Sequence, residues 1–97
     1  MNQEDISMIF DKTVWSTDFD WEDDSYVSVA RVSNISVRIS ANRNGLLSLA
    51  NQLTELANTD FKSIVYDPFP GDLEEGSLAL EIIKTQHQGR KNPDADR

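Results

Sequence analysis

The 97-residue sequence contains no cysteine, so it has neither disulfides nor thiolate metal ligands. It has a single histidine, His87, and no apolar run long enough to cross a bilayer. No basic start followed by an apolar stretch opens the chain, as it would in a secretory signal. From these absences we expect a cytoplasmic protein whose stability rests on a small hydrophobic core.

Basic residues are scarce: nine Lys and Arg stand against 17 Asp and Glu, a formal net charge of −8. This balance disfavours binding to nucleic acid or to anionic membranes, because both carry negative charge themselves. Eight of the acids lie within the first 24 residues, where Lys12 is the only base. A charged partner of this protein should therefore present a basic surface.

The clearest periodicity lies in residues 42–58, which we predict to be the one long helix. Apolar residues recur there at spacings of three and four, as on one side of an α-helix. This pattern predicts that the core side carries Leu46, Leu49, Ala50, Leu53, Leu56 and Ala57. Asn51, Gln52 and Glu55 are expected to face solvent. Asn42 or Asn44 can accept the first free backbone amides as an N-cap.

The flanking segments predict strands. In residues 15–22, Trp15, Thr17, Phe19 and Trp21 alternate with acidic or polar residues, the period of two of a strand buried on one face. Residues 26–32 and 35–40 favour a hairpin, and Ile35, Val37 and Ile39 are expected to form its buried face. Residues 61–66 and 78–84 are the remaining strand candidates. The fold predicted is α+β, a mainly antiparallel sheet of about five strands in the order β-β-β-α-β-β, with one helix packed on a face.

One domain is expected over residues 1–85. Residues 86–97 lack the apolar side chains that would order them, so they are predicted to be a flexible polar tail. The pattern leaves open whether residues 1–12 form a strand. Two prolines in 67–71 must interrupt the sheet, which predicts a long, acidic, exposed loop over residues 67–77.

The candidates for catalytic and metal chemistry each have a simpler interpretation. Asp18, Asp20 and Glu22 have the spacing of calcium-loop ligands, but the sharp-turn Gly and the bidentate Glu of that loop are missing. His87 lies in the predicted tail, without a second imidazole or a nucleophile motif. Adjacent pairs such as Glu74 and Glu75 share one environment, whereas catalytic carboxyls need different ones. We therefore expect no enzyme activity, no cofactor and no metal.

Aromatic residues surrounded by acids are typical of protein-binding hot spots, although strand alternation alone already explains the aromatics as core. In such a surface the rings supply burial and the carboxylates attract a basic partner. The predicted partner-binding residues fall in the first quarter of the chain and in the 67–77 loop. They are Trp15, Asp18, Phe19, Asp20, Trp21, Glu22, Asp23, Asp24, Asp67, Phe69, Asp72, Glu74 and Glu75.

Residues in the second half of the chain suggest a family. The run 42–50 reads NRNGLLSLA and is continued by Leu53, Leu56 and Ala57; Tyr66-Asp67, the run 73–77 (LEEGS) and the apolar run 78–84 follow. This pattern resembles immunity protein family thirty-two of bacterial polymorphic toxin systems.

The resemblance implies a cytoplasmic protein that binds and neutralises a cognate toxin and is not itself an enzyme. Two alternatives remain open at this stage. One is a small-molecule binder or uncharacterised enzyme with a pocket between the helix and the 67–77 loop. The other is a structural module that forms a homodimer through an uncovered sheet face, burying Ala79, Ile83 and the aromatics.

Overall fold

The computed structural model describes residues 12–87, 89 and 90, so the questions about residues 1–11 and about most of the predicted tail lie outside the described residues. Five strands and one α-helix follow in the order β-β-β-α-β-β, which confirms the predicted α+β class. The elements are β1 Thr13–Trp15, β2 Val27–Ser33, β3 Ser36–Ala41, α1 Arg43–Asn58, β4 Ser63–Tyr66 and β5 Leu80–Ile83. A short 3-10 helix, Ser16–Asp18, follows β1.

The five strands are divided between two sheets. β1, β4 and β5 form one sheet with β4 in the centre, and β2 and β3 form a separate hairpin. The β4–β5 and β2–β3 pairs are antiparallel, while β1 pairs parallel with β4. The prediction of mostly antiparallel pairing is therefore confirmed, and the hairpin is a second layer beside the three-stranded sheet.

The core lies between the three-stranded sheet, the base of the hairpin and α1. Its buried members are Val27, Val29, Leu56, Ile64, Tyr66 and Leu73. Phe19, Trp21, Leu49, Phe61, Leu80 and Ile82 pack around them and are partly buried. Leu80 and Ile82 thus face inward, as their alternation predicts, because strand residues two apart share a face.

The bounds of α1 are close to those predicted, but the face that it buries is the predicted one only in part: Leu56 is buried and Leu49 half-buried, as predicted. Gly45, Ser48, Gln52 and Leu56 are its buried residues, whereas Leu46, Ala50, Leu53 and Ala57 are exposed. Gln52 is only 1% exposed, because its side chain bonds to Tyr66 across the core. The helix is rotated toward its small and polar residues, which allow another part of the chain to approach its backbone closely.

The strand predicted over residues 15–22 is also wrong beyond Trp15. Pairing with β4 ends at Trp15, and the chain then turns, with the Phe19 amide bonding to the Ser16 carbonyl at 3.3 Å. The Trp21 indole Nε1 donates to the same carbonyl at 2.8 Å, which holds this turn closed. The alternation nevertheless identifies core residues, since Phe19 and Trp21 both pack against the core.

The hairpin is correctly predicted, but its apolar face is mostly not buried. Val27, Val29 and Ala41 at the base reach the core, whereas Ile35 at the tip is 95% exposed. Val37 and Ile39 are exposed as well. The alternation of these residues is real, but the hairpin extends beyond the surface that α1 and the other sheet offer, so its outer half packs against nothing in the described part of the chain.

The two ends of α1 are both capped. The Asn42 side-chain carbonyl accepts from the Gly45 amide at 2.8 Å, as the predicted N-cap does. At the other end, the Lys84 Nζ donates to the carbonyls of Leu56 and Thr59 at 2.8 and 2.5 Å. A cation at this end also interacts favourably with the helix dipole.

The 67–77 loop is fastened to the outer edge of β2. The Glu74 amide donates to the Val27 carbonyl at 2.9 Å and the Leu78 amide to the Val29 carbonyl at 2.8 Å. Leu73 is buried, while Phe69, Glu74 and Glu75 are exposed, so the loop is exposed only in part. The Val29 amide donates to the Ser77 hydroxyl, which adds a third hydrogen bond between this segment and β2.

Candidate functional site

Residues 18–24, which we call the acidic segment, lie along α1 and run antiparallel to it. Near the C-terminal half of the helix, Asp18, Phe19 and Asp20 share a groove with Glu55. The next contacts pair Glu22 with Ser48 and Asp23 with Asn44. The helix positions thus fall from 55 to 44 as the segment advances, which places five carboxylates in a row on one flank of the helix.

Asn42 fixes the end of this segment as well as the start of the helix. Its side-chain oxygen accepts from the Tyr26 amide at 3.0 Å, in addition to the Gly45 amide. Its Nδ2 donates to the Asp24 carbonyl at 2.7 Å, and its own amide donates to the Tyr26 carbonyl. One side chain therefore satisfies backbone groups on both sides, and the start of β2 and the start of α1 are held together.

Asn44 and Ser48 hold the segment about half a turn and almost two turns further along the helix. The Asn44 Nδ2 donates to the Asp23 carbonyl at 2.8 Å. The Ser48 hydroxyl accepts from the Glu22 amide at 2.9 Å and donates to the Asn44 carbonyl. Because all these bonds use backbone atoms of the acidic segment, they fix its path and leave its carboxylates available.

Gly45 is the residue that permits this close packing. A Cβ atom there would lie 2.3 Å from the Tyr26 carbonyl oxygen and 3.0 Å from a Val27 methyl. Real Cβ atoms do not come so close to backbone, so any larger residue would push residues 26 and 27, which directly follow the acidic segment, off the helix. The Asn-Arg-Asn-Gly run marks the helix start in the sequence. It thus also holds another part of the chain against the helix.

The carboxylates of the segment face outward. Asp18, Asp20, Glu22, Asp23 and Asp24 are all exposed. Asp24 has a φ of 57°, a left-handed conformation that Asp tolerates better than most residues. The structure therefore brings together all five acids predicted for the first quarter of the chain.

The groove at the start of the segment has a volume of about 340 Å³. Three acids, Asp18, Asp20 and Glu55, line it together with Thr13, Val14, Phe19 and Phe61. No basic side chain is among these residues. Glu55 was predicted only as a solvent-facing helix residue, and no signal in the sequence links it to residues 18–20, because the link depends on how the segment lies along the helix.

The acids of the 67–77 loop form a second acidic area near the first. Glu74 bonds through its amide to Val27, which lies three residues after Asp24. Glu74 and Glu75 are exposed, whereas Asp67 and Asp72 are half-buried. Acids from both predicted segments therefore flank the beginning of β2.

The predicted aromatic residues are divided by the fold. Trp21 is partly buried and meets Tyr66 edge to face, with ring centroids 6.4 Å apart. Trp15 is 50% exposed, and Phe69 at the tip of its loop is 71% exposed. Trp15 and Phe69 are thus exposed for contact with a partner. Trp21 and Phe19 chiefly anchor the acidic segment to the core.

The opposite side of α1 carries an apolar surface that the sequence interpretation assigned to the core. We call Leu46, Ala50, Leu53 and Ala57, with the exposed hairpin residues Ile35, Val37 and Ile39, the apolar flank. Residues 25–54, which contain most of it, include three arginines and no acid. That absence of acids in a chain of net charge −8 is the sequence signal that could have marked this region as distinct.

A buried polar pair fixes the helix against the central strand. The Tyr66 hydroxyl donates to the Gln52 Oε1 at 2.8 Å, and both residues are fully buried. Burial raises the pKa of Tyr66 to about 12, because the phenolate would lose its hydration there. The Gln52 Nε2 has no hydrogen-bond partner within the described part of the chain.

Comparison with known proteins gives one match, to the model of the family Immunity protein 32, over residues 36–85. This range covers just over half of the chain. The chain belongs to the Immunity protein 32 family. The resemblance predicted from residues 42–84 is therefore confirmed. No curated protein and no solved structure matches the chain.

The Immunity protein 32 match contains β3, α1, β4, the 67–77 loop and β5. It includes Asn42, Asn44, Gly45 and Ser48, which fasten the acidic segment, while the segment itself precedes the matched range. Within residues 12–87 and 89–90, no helix combines the length and the apolar character needed to cross a membrane.

Proposed function

We propose that this member of the Immunity protein 32 family neutralises a cognate protein toxin by binding it directly, with the acidic segment as its principal contact. The toxin presents a basic surface to it, and the immunity protein performs no chemistry of its own. The exposed residues Trp15 and Phe69 and the acids Glu74 and Glu75 extend the contact around the start of β2. The family match supports the function, and the geometry of the acidic segment supports its location.

The observation that carries this location is that the segment is ordered before any partner arrives. Ser48, Asn44 and Asn42 hold its backbone at three successive points, and all its carboxylates remain exposed. Ordering a loop on binding costs free energy, so a segment fixed in advance binds more tightly for the same contacts. A row of like charges also accelerates encounter with an oppositely charged partner.

The direct test uses the protein encoded by the reading frame adjacent to the gene for this chain, which we expect to be the toxin. We expect the two purified proteins to form a complex in calorimetry, and the toxin's activity to fall as the complex forms. The association rate should decrease steeply with salt, since the attraction is between exposed charges. Absence of binding at low salt would contradict the proposal.

A matched pair of variants locates the contact. Glu22→Gln and Glu81→Gln each remove one exposed acid by the same chemical change, the first in the acidic segment and the second on β5. Glu22→Gln should slow association by roughly three-fold and Glu81→Gln should leave it nearly unchanged, because steering depends on local charge. Equal effects would show that only the net charge matters.

A second candidate, self-association, is favoured by the outer face of the three-stranded sheet. The register places Trp15 beside Val65 and Ser63 beside Ile83 on one face of this sheet. Trp15 is exposed there, whereas Val65 is half-buried and Ser63 is buried. Ile83 is 60% exposed, and Ala79 just before β5 is exposed too. A dimer through this face would dissociate in the Ile83→Lys variant, which light scattering at high concentration would detect.

The small-molecule alternative requires a pocket between α1 and the 67–77 loop. The groove of about 340 Å³ lies between the acidic segment and α1, and none of its lining residues comes from the 67–77 loop. This groove is therefore not the pocket that the small-molecule alternative requires.

A further inference from the structure

We propose that the groove formed by Asp18, Phe19, Asp20, Glu55 and Phe61 is the seat for a single cationic side chain, arginine or lysine, of the toxin. This inference rests on the proposed function and makes it more specific, because it names the subsite and the chemistry of what enters it. It concerns the groove and not the row of carboxylates as a whole.

The shape and lining of the groove suit a long basic side chain. Its volume of about 340 Å³ is at the lower end of the range for small-molecule sites, which is roughly 300–1,000 Å³. Val14 is buried, and the rings of Phe19 and Phe61 are partly buried in the core, so the groove has fixed apolar surfaces. The aliphatic stem of a lysine or arginine packs well on such surfaces, and a cation is attracted to the face of an aromatic ring.

The charge of the groove determines which kind of side-chain head group binds there. Its three carboxylates come from two separate elements, Asp18 and Asp20 from the acidic segment and Glu55 from α1. A cation placed between them would be close to acids on both sides, while an anion would be repelled from both. An apolar side chain would cover the carboxylates without satisfying them, at a cost in desolvation.

The supports of the groove are rigid. Asp18 accepts from the Trp15 amide at 3.4 Å within the 3-10 turn, and the Trp21 indole closes that turn by bonding to Ser16. Glu55 stands on the regular part of α1, one turn before the helix end that Lys84 caps. The distance between the two acidic walls is therefore set by packed elements, as a specific subsite requires.

The test is calorimetry of the neighbouring toxin with Glu55→Gln, Asp20→Asn and the control Glu81→Gln. We expect Glu55→Gln and Asp20→Asn each to weaken binding by about ten-fold or more, and Glu81→Gln by less than about three-fold. Glu55→Lys, which places the chain's own cation in the groove, should weaken binding further than Glu81→Lys does. Circular dichroism and thermal unfolding of each variant verify that it is folded.

Replacement of each Lys and Arg of the toxin by Ala identifies the entering side chain. Only one of these toxin substitutions should lose its effect on affinity when it is combined with Glu55→Gln. That toxin residue and Glu55 then form one coupled pair. The outcomes are distinguishable. If the wild-type chain does not bind the toxin, the proposed function and this inference both fail. If it binds and Glu55→Gln behaves like Glu81→Gln, the groove inference alone is overturned.

Discussion

The two flanks of α1 differ in how well the regularity of their sequence predicts whether they are fixed in the fold. The acidic segment on one flank has little regular structure, yet Asn42, Asn44 and Ser48 fix its backbone to the helix. The apolar flank on the other side has the clearest periodicity in the chain, yet most of its side chains are exposed. Periodicity therefore indicates that a face is apolar, and a separate observation is needed to show what it packs against.

The reason for the difference lies in the small residues of the helix. Gly45 and Ser48 let the backbone of residues 22–26 approach the helix, so this side is covered by chain and the leucines on the other side are turned outward.

Gly45→Ala should have the largest effect, because its Cβ would lie 2.3 Å from the Tyr26 carbonyl oxygen. Relief of that overlap requires residues 26 and 27 to separate from α1, at a cost of about 3 kcal/mol in the free energy of unfolding. Urea unfolding measures this quantity. Gly89→Ala is the matched control, since no atom of the described residues lies within 4 Å of a Cβ there, and its midpoint should be unchanged. Equal midpoints for the two variants would mean that the close approach does not exist.

The pH dependence of stability tests the Tyr66–Gln52 bond that sets the rotation of α1. The pKa of Tyr66 is raised to about 12 from 10.0. Between pH 10 and pH 12 the unfolded chain loses this proton and the folded chain keeps it, so stability falls as the pH rises, by up to about 2 kcal/mol.

Urea unfolding at several pH values measures this loss. In Tyr66→Phe this part of the pH dependence should disappear, whereas Tyr26→Phe, at an exposed tyrosine, should retain it. The same loss in all three proteins would assign it to groups other than Tyr66.

Asn42→Ala should cost about 1–2 kcal/mol, because it removes the helix N-cap and leaves the Tyr26 amide without its partner. Hydrogen exchange of the Tyr26 and Gly45 amides should accelerate more than exchange in β4. Asn51→Ala, at an exposed position of the same helix, serves as the control and should change little. Unchanged exchange at Tyr26 would contradict the fastening role of Asn42.

Exposed residues of the apolar flank should show the smallest effect on stability. Ile35→Ser is expected to change the free energy of unfolding by less than about 0.5 kcal/mol, since the side chain is 95% exposed. Val29→Ser on the buried face of β2 is the comparison and should cost several times more. A large loss in Ile35→Ser would mean that the hairpin tip is covered in solution.

Much of the architecture could be predicted from local pattern. The element order, the bounds of α1 and the inward side of β5 all follow from spacing and turn residues. The strand over residues 15–22 was wrong because alternation in that segment reflects two aromatic anchors, Phe19 and Trp21, and not a continuous pairing.

The composition of the candidate site could be predicted from the sequence, but its arrangement could not. The acids of residues 18–24 are evident in the sequence, whereas the contribution of Glu55 to the groove depends on a segment that crosses the fold. The burial of Gln52 likewise depends on Tyr66, 14 positions away. Such pairings between distant residues leave no trace in the spacing of either one.

The affinity of the neighbouring toxin for two sets of variants, one on each flank of α1, shows directly which flank binds it. The acidic-segment variant is Glu22→Gln with Asp23→Asn, and the apolar-flank variant is Leu46→Gln with Leu53→Gln, both at exposed positions. If the toxin binds the acidic segment, the first variant weakens binding by about ten-fold or more and makes it less sensitive to salt, while the second leaves it nearly unchanged. The reverse result would contradict the account and assign the interface to the apolar flank.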